Sequence, residues 1–303
     1  MTFALVFSGQ GSQHPQMLSW LADDDALMRE TSAMLGRPDW RASLHDRGWA
    51  RRNANAQLLL TGTALAAWSQ LSPHLPVPIA IAGYSVGEVA AYCAAGVFGA
   101  RTALHLAFAR ARAMDQAAAI APGSLMGVSG IGREALAHVC EGHHLDVAIR
   151  NGCHSVVVAG AVQSLESAES VLTAQGARCT RLAVDVRSHT PAMLPAAERF
   201  ARILVGEKFE RPRTALISDS TGQLCIGTEQ ARAALAAQVC GAVQWSDCMD
   251  SLRARQPTCV LEIGPGNALA RMWNERYEHT PARSCDEFHS VGAIARWVGT
   301  HSV

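Results

Sequence analysis

Apolar and polar positions alternate along the chain in two styles. Short continuous apolar runs are separated by longer stretches in which apolar residues recur every three or four positions, the pattern of an α/β protein. Phe3-Ala4-Leu5-Val6-Phe7 reads as a buried strand that empties into the turn Ser8-Gly9-Gln10-Gly11-Ser12. The spacing predicts a helix from Ala56 to Leu71, a loop at Pro76 and Pro78, and a second strand over Ile79-Ala80-Ile81-Ala82. Helices are predicted again from Gly87 to Ala95 and from Ala100 to Ala118.

The middle of the chain changes character. Ser124 to Ser129 reads as a strand, Arg133 to Cys140 as a helix, and Leu145 to Arg150 and Ser155 to Ala159 as two more strands. A helix from Gln163 to Gln175 and a last strand from Arg178 to Val186 complete the order βαββαβ, a ferredoxin-like pattern. The expected fold class is therefore a large α/β-hydrolase-like subdomain with a parallel sheet, interrupted by a ferredoxin-like small subdomain. The boundaries fall at 1–121 and 190–303 for the large part and 122–189 for the insertion.

Composition narrows the function. With 49% apolar and 17% charged residues among 303, the chain can build an ordinary core. A formal net charge of zero argues against nucleic acid as the main partner. The nine cysteines form no CxxC pair or metal-ligand spacing, which fits a reducing cytosol and no metal site. The opening apolar run is too short for a signal h-region, and no run approaches membrane-spanning length. The expectation is a soluble cytoplasmic protein.

Gly83-Tyr84-Ser85-Val86-Gly87 carries the first chemistry, a G-x-S-x-G run between a predicted strand and a predicted helix. That context suits a nucleophile elbow, where Ser85 is lifted on a sharp turn and Val86 offers its N–H at a helix N-terminus. The plain alternative is a capped turn with a structural serine. A serine needs a base, and His189 stands where the small subdomain returns to the large one, a natural place for a cleft. His143 and His144 lie in a polar loop, and His14 and His279 lack an apolar frame.

Phe7 to Gln13, Gly83 to Glu88, Arg110 to Met114, Asn151 with Ser155 to Gly160, Ser188 to Met193 and Leu261 to Gly266 together resemble the signature runs of the malonyl-CoA:acyl-carrier-protein transacylase family, in the family's order. The resemblance implies Ser85 as acylated nucleophile, His189 as general base, and the amides of Gln10 and Val86 as oxyanion hole. It implies Arg110 as the ligand of the malonyl carboxylate, in preference to Arg112. Gln57 and Asn151 would line the pocket, and the main-chain carbonyl of Gln244 would orient the histidine, so no acidic third member is required. No metal or permanently bound cofactor is implied: coenzyme A enters as a thioester substrate, and the acceptor is the phosphopantetheine-type arm of a carrier protein.

Ser8 stands where the family has proline, Tyr84 where histidine is common, Gln16 where glycine is common and Asn267 where a basic residue often follows. The stretch after about residue 275 shows no clear counterpart. These departures resemble the epsilon subunit of bacterial malonate decarboxylase, which loads malonyl onto a dedicated carrier subunit. The competing readings are a stand-alone malonyltransferase of fatty-acid or polyketide synthesis, an acyl hydrolase, and a non-catalytic complex subunit. Arg51 and Arg52 could face an acidic carrier.

Overall fold

The first strand, β1 (Phe3–Phe7), is buried along its whole length, as an apolar strand flanked on both sides must be. The computed structural model describes residues 2–301. In chain order the further strands are β2 (Ala80–Gly83), β3 (Ser124–Ser129), β4 (Asp146–Gly152), β5 (Ser155–Gly160), β6 (Arg178–Arg181), β7 (Ala215–Ile217), β8 (Leu224–Cys225), β9 (Cys259–Ile263) and β10 (Ala282–Ser284). They form two sheets, ordered β10-β9-β1-β2-β7-β8 and β4-β5-β3-β6.

In the larger sheet β1 pairs in parallel with β2 on one side and β9 on the other, Phe7 standing opposite both Gly83 and Ile263. The C-terminal ends of these three strands therefore open together at one edge. At that edge lie the turn after β1, the serine turn after β2 and the Gly-Pro-Gly turn after β9. Helix Asn53–Leu71, apolar on nearly every face, packs against Ala26–Leu35, Gly87–Ala94 and Ala100–Ile120. Among the described residues no helix is long and apolar enough to cross a membrane.

The smaller sheet is antiparallel, with β3 between β5 and β6. Helices Arg133–Gly142 and Val162–Ala174 give it the predicted βαββαβ order, and Met126, Val128, Leu136, Val158, Leu165 and Leu172 form its own core. Its last strand ends at Arg181 and does not reach Val186. Leu182 still donates to the carbonyl of Leu125 at 3.0 Å, but two residues later the Ser124 hydroxyl takes the Val184 carbonyl at 2.8 Å, and the ladder stops there. The smaller sheet is also tied to the segment ahead of helix Trp245–Arg253: Arg150 N–H donates to the Val243 carbonyl at 2.8 Å, and Val243 N–H to the Ala148 carbonyl at 2.9 Å.

Candidate active site

Ser85 sits between β2 and helix Gly87–Ala94 with φ 55°, in the left-handed region. The flanking glycines are sterically required. A Cβ at Gly83 would lie 2.3 Å from the Glu88 backbone, and one at Gly87 would lie 2.4 Å from the Phe7 carbonyl oxygen. The sharp turn and the close strand leave no room for a side chain at either position. The nucleophile elbow expected from the sequence is present.

His189 also has a left-handed backbone, φ 64°, and its ring spans two partners. Nε2 lies 2.7 Å from Ser85 Oγ, and Nδ1 lies 2.7 Å from the main-chain carbonyl of Gln238. A carbonyl only accepts, so Nδ1 carries the proton and Nε2 is left as the acceptor for the serine hydroxyl. Burial and the nearby Arg110 charge push the imidazole pKa down to about 3, against the opposing pull of the Gln238 carbonyl. At neutral pH His189 is therefore a neutral base, already turned toward the serine.

The histidine-orienting carbonyl belongs to Gln238, which corrects the expectation of Gln244. Gln238 immediately follows helix Thr228–Ala237, where main-chain carbonyls lack intrahelical takers. Gln244 precedes helix Trp245–Arg253, so its carbonyl is spent on the N–H of Cys248 at 3.0 Å. Its side chain turns to the Ala242 carbonyl at 2.9 Å.

Arg110, on helix Ala100–Ile120, is 1% exposed and lies beneath the open cavity, off its wall. Nη1 donates to Gln57 Oε1 at 2.5 Å and Nη2 to Gln238 Oε1 at 2.6 Å. Nε has no protein partner, and each Nη keeps one further N–H, so three of the five guanidinium donors are uncommitted. Burial lowers the pKa to about 10, opposed by the Asp219 and Glu88 carboxyl groups, and the group stays charged. Gln57 serves the arginine and is itself held by Asn53 Oδ1 at 2.7 Å, so it is a second layer rather than pocket lining.

Sequence reasoning missed the carboxyl groups under the serine. Asp219 Oδ2 accepts the backbone N–H of Ser85 at 2.7 Å and a side-chain N–H of Gln238 at 3.1 Å. Glu88 accepts from the Ser218 hydroxyl, the Asp219 N–H and Gln238 Nε2 at 2.8, 2.9 and 2.9 Å. Burial, then the proximity of Glu88, holds the Asp219 carboxyl well above the usual range. Gln238 thus touches the serine carbonyl, both carboxyl groups and the arginine with its side chain, while its backbone orients the histidine. Glu88, in the first turn after the serine, was the only trace of this in the sequence.

Ser85 and His189 open into a cavity of about 880 Å³ between the two sheets, whose wall also includes Gln10, Tyr84, Asn151 and Glu262. The Tyr84 hydroxyl donates to Asn151 Oδ1 at 3.1 Å, joining the serine turn to β4 of the smaller sheet. The main-chain amides of Gln10 and Val86 have no protein acceptor among the described residues. Arg51 reaches Asp185 at 3.5 Å on the surface. The arrangement suits acyl transfer: a hydroxyl on a neutral base, two spare amides nearby, and a buried cation below.

The chain matches the family described as acyl transferase domain over residues 4–300. It is 31% identical over 291 residues to the malonyl CoA-acyl carrier protein transacylase of Mycobacterium bovis, covering 93% of this chain and 95% of that one. To the transacylase of the same name from Haemophilus influenzae it is 29% identical, covering 98% and 99%. The crystal structure of FabD from Acinetobacter baumannii superposes with a TM-score of 0.88 at 28% identity, over 99% of this chain and 98% of that one. A malonyl-transacylase solved in complex with a type II PKS acyl-carrier protein superposes at 0.89 with 27% identity, covering 98% and 99%. The likeness runs through the stretch after 275, which had shown no counterpart by motif alone: β10 extends the parallel sheet beside β9, and the final helix Val291–His301 packs on helix Asn53–Leu71.

Proposed function

This chain belongs to the acyl transferase domain family, and from that premise we propose that it moves malonyl from malonyl-CoA to the thiol of a carrier protein. The observation that carries the reading is the Ser85–His189 contact at 2.7 Å, with the histidine tautomer fixed from behind by Gln238 and the Arg110 guanidinium buried beneath. His189 Nε2 takes the Ser85 proton as Oγ attacks the thioester carbon. The amides of Gln10 and Val86 receive the oxyanion, the C–S bond breaks, and coenzyme A leaves with the proton returned by His189. The carrier thiol then enters, gives its proton to His189, and takes the malonyl group from Ser85 in the reverse sequence.

Arg110 would meet the malonyl carboxylate with its uncommitted N–H groups, and a neutral acetyl group would leave that meeting unmade. Asn151 contributes to the cavity wall through its bond to Tyr84. The division into 1–121, 122–189 and 190–303, and a cytoplasmic location, belong to the same reading. The test is mass spectrometry of the protein after incubation with malonyl-CoA. A malonyl adduct in wild type and none in Ser85→Ala supports it, and a folded wild type that takes no malonyl sinks it.

A second reading concerns only the acceptor. Tyr84, where the family commonly has histidine, lines the cavity and is bonded to Asn151 of the smaller sheet, and on that departure rests the reading of a dedicated carrier such as the carrier subunit of a malonate decarboxylase. Transfer rates from the malonyl-enzyme to an acyl carrier protein and to such a subunit, with its phosphoribosyl-dephospho-CoA arm, decide between the two.

A further inference from the structure

Glu262 is a buried acid on the wall of the catalytic cavity that the acyl-transfer scheme leaves idle. It lies near the end of β9, and its carboxyl group accepts three hydrogen bonds. Oε1 receives the Ser8 hydroxyl at 2.6 Å and the Leu269 N–H at 3.3 Å, and Oε2 receives the Ala270 N–H at 2.8 Å. The last two donors belong to the first turn of helix Ala268–Arg276, so the carboxyl is seated on a helix N-terminus. Burial raises its pKa to about 7, while the three donors pull the other way.

Ser8 is the first residue of the turn that carries Gln10. Its N–H extends the β1–β9 ladder to the Ile263 carbonyl at 3.0 Å. The side chain lies against Gly264, where an added Cβ would stand 2.5 Å from Ser8 Cβ and from its Oγ. At the far end the turn is fastened by Gln13, which accepts from Gly11 N–H at 2.8 Å and donates to the Ala50 carbonyl at 3.0 Å. Between these two anchors no side-chain hydrogen bond holds the backbone of Gly9 or Gln10 among the described residues, and Gly9 rests against Tyr84, so the direction of the Gln10 amide follows from how the two ends are held over that ring.

We infer that Ser8 and Glu262 are positioning residues for acyl transfer: the Ser8–Glu262 hydrogen bond fixes the entry of the turn on the N-terminus of helix Ala268–Arg276 and so aims the Gln10 amide at the developing oxyanion. The inference rests on the proposed role of Gln10 in that reaction. Negative charge builds on that oxygen only on the way to the tetrahedral intermediate and is absent from the bound thioester, so loss of the anchor slows acylation and leaves substrate binding almost untouched.

The experiment measures acylation of Ser85 in wild type, Ser8→Ala, Glu262→Gln and the double variant. One arm uses malonyl-CoA; the other uses a fluorophosphonate probe, which loads the same serine and needs the same oxyanion donors whatever the natural acyl group. Ser8→Ala is expected to lower the maximal rate of malonylation about tenfold, less than the loss of a whole oxyanion donor. The malonyl-CoA concentration at half-maximal rate should stay within about twofold, and labelling by the probe should slow in parallel. The double variant is expected to be no slower than Glu262→Gln alone, since the two act through one bond. Ser8→Ala labelled at the wild-type rate, or losses that multiply in the double variant, overturns the inference. If Glu262→Gln does not fold, Ser8→Ala with the probe decides alone. A wild type that takes the probe but not malonyl defeats the proposed substrate, and the probe arm still decides this one.

Discussion

The carboxyl group of Asp219 receives the backbone N–H of Ser85 at 2.7 Å, so the residue under this serine is an acid, while the histidine ring is held from behind by a carbonyl. Burial and the neighbouring Glu88 raise the pKa of that acid, and the Ser85 N–H needs only an acceptor oxygen from it, which an amide of the same shape also offers. Asp219→Asn is expected to acylate within about threefold of wild type. Asp219→Ala strands the Ser85 N–H and should lose about 1–3 kcal/mol of stability, read by thermal or denaturant unfolding. Equal losses in the two variants would show that the charged form is what matters.

The two glutamines six positions apart separate just as sharply. Gln238→Ala keeps the carbonyl that faces His189 but removes every side-chain bond to Ser85, Glu88, Asp219 and Arg110. A fall in acylation of at least about tenfold is expected, with a loss of stability, because buried polar partners are left unsatisfied. Gln244→Ala removes one bond to the Ala242 carbonyl and should change acylation less than about twofold. The reverse order would restore Gln244 to the role the sequence suggested.

Arg110→Ala is expected to erase most of the preference for malonyl-CoA over acetyl-CoA, a change of about a hundredfold in the ratio of adduct formation rates. An unchanged ratio removes Arg110 from carboxylate recognition. Arg110→Lys should recover little, because one ammonium cannot bridge Gln57 and Gln238 in the plane of a guanidinium.

His189 has a depressed pKa, and its sign fixes two expectations. The neutral ring is the native form, so the stability it contributes is present above about pH 6.5, the value of the unfolded chain. That contribution is lost as pH falls from there toward about 3. In nitrogen NMR the His189 ring should keep the Nδ1–H tautomer from about pH 8 to about pH 5. A titration near the ordinary histidine value would mean that the ring is solvated and the Gln238 bond is not formed.

Much of this site was legible before any coordinates. β1, β2 and the serine turn announce themselves because a parallel strand covered on both faces must be apolar throughout, and a sharp elbow must place glycine on either side. The small sheet was legible from its period and order, although its last strand stops early where Ser124 captures the Val184 carbonyl. Asp219 was not legible. It follows the short strand β7 and meets Ser85 across more than a hundred residues of chain, with no local pattern to mark the encounter. Gln244 was expected from the family resemblance alone; which of two nearby carbonyls is free depends on where the helices end, and ends are the least certain part of any helix read from sequence.

Ser85 and His189 share one further property, the left-handed backbone that side-chain-bearing residues resist. Each such conformation stores on the order of 1 kcal/mol or more that the rest of the fold must hold in place. Glycine would relax the backbone at Ser85, so selection for heat resistance alone would not protect the side chain proposed as the nucleophile. The active form is therefore a compromise maintained by its use, and a thermostable library drawn from this protein should be screened for turnover before it is ranked by melting point.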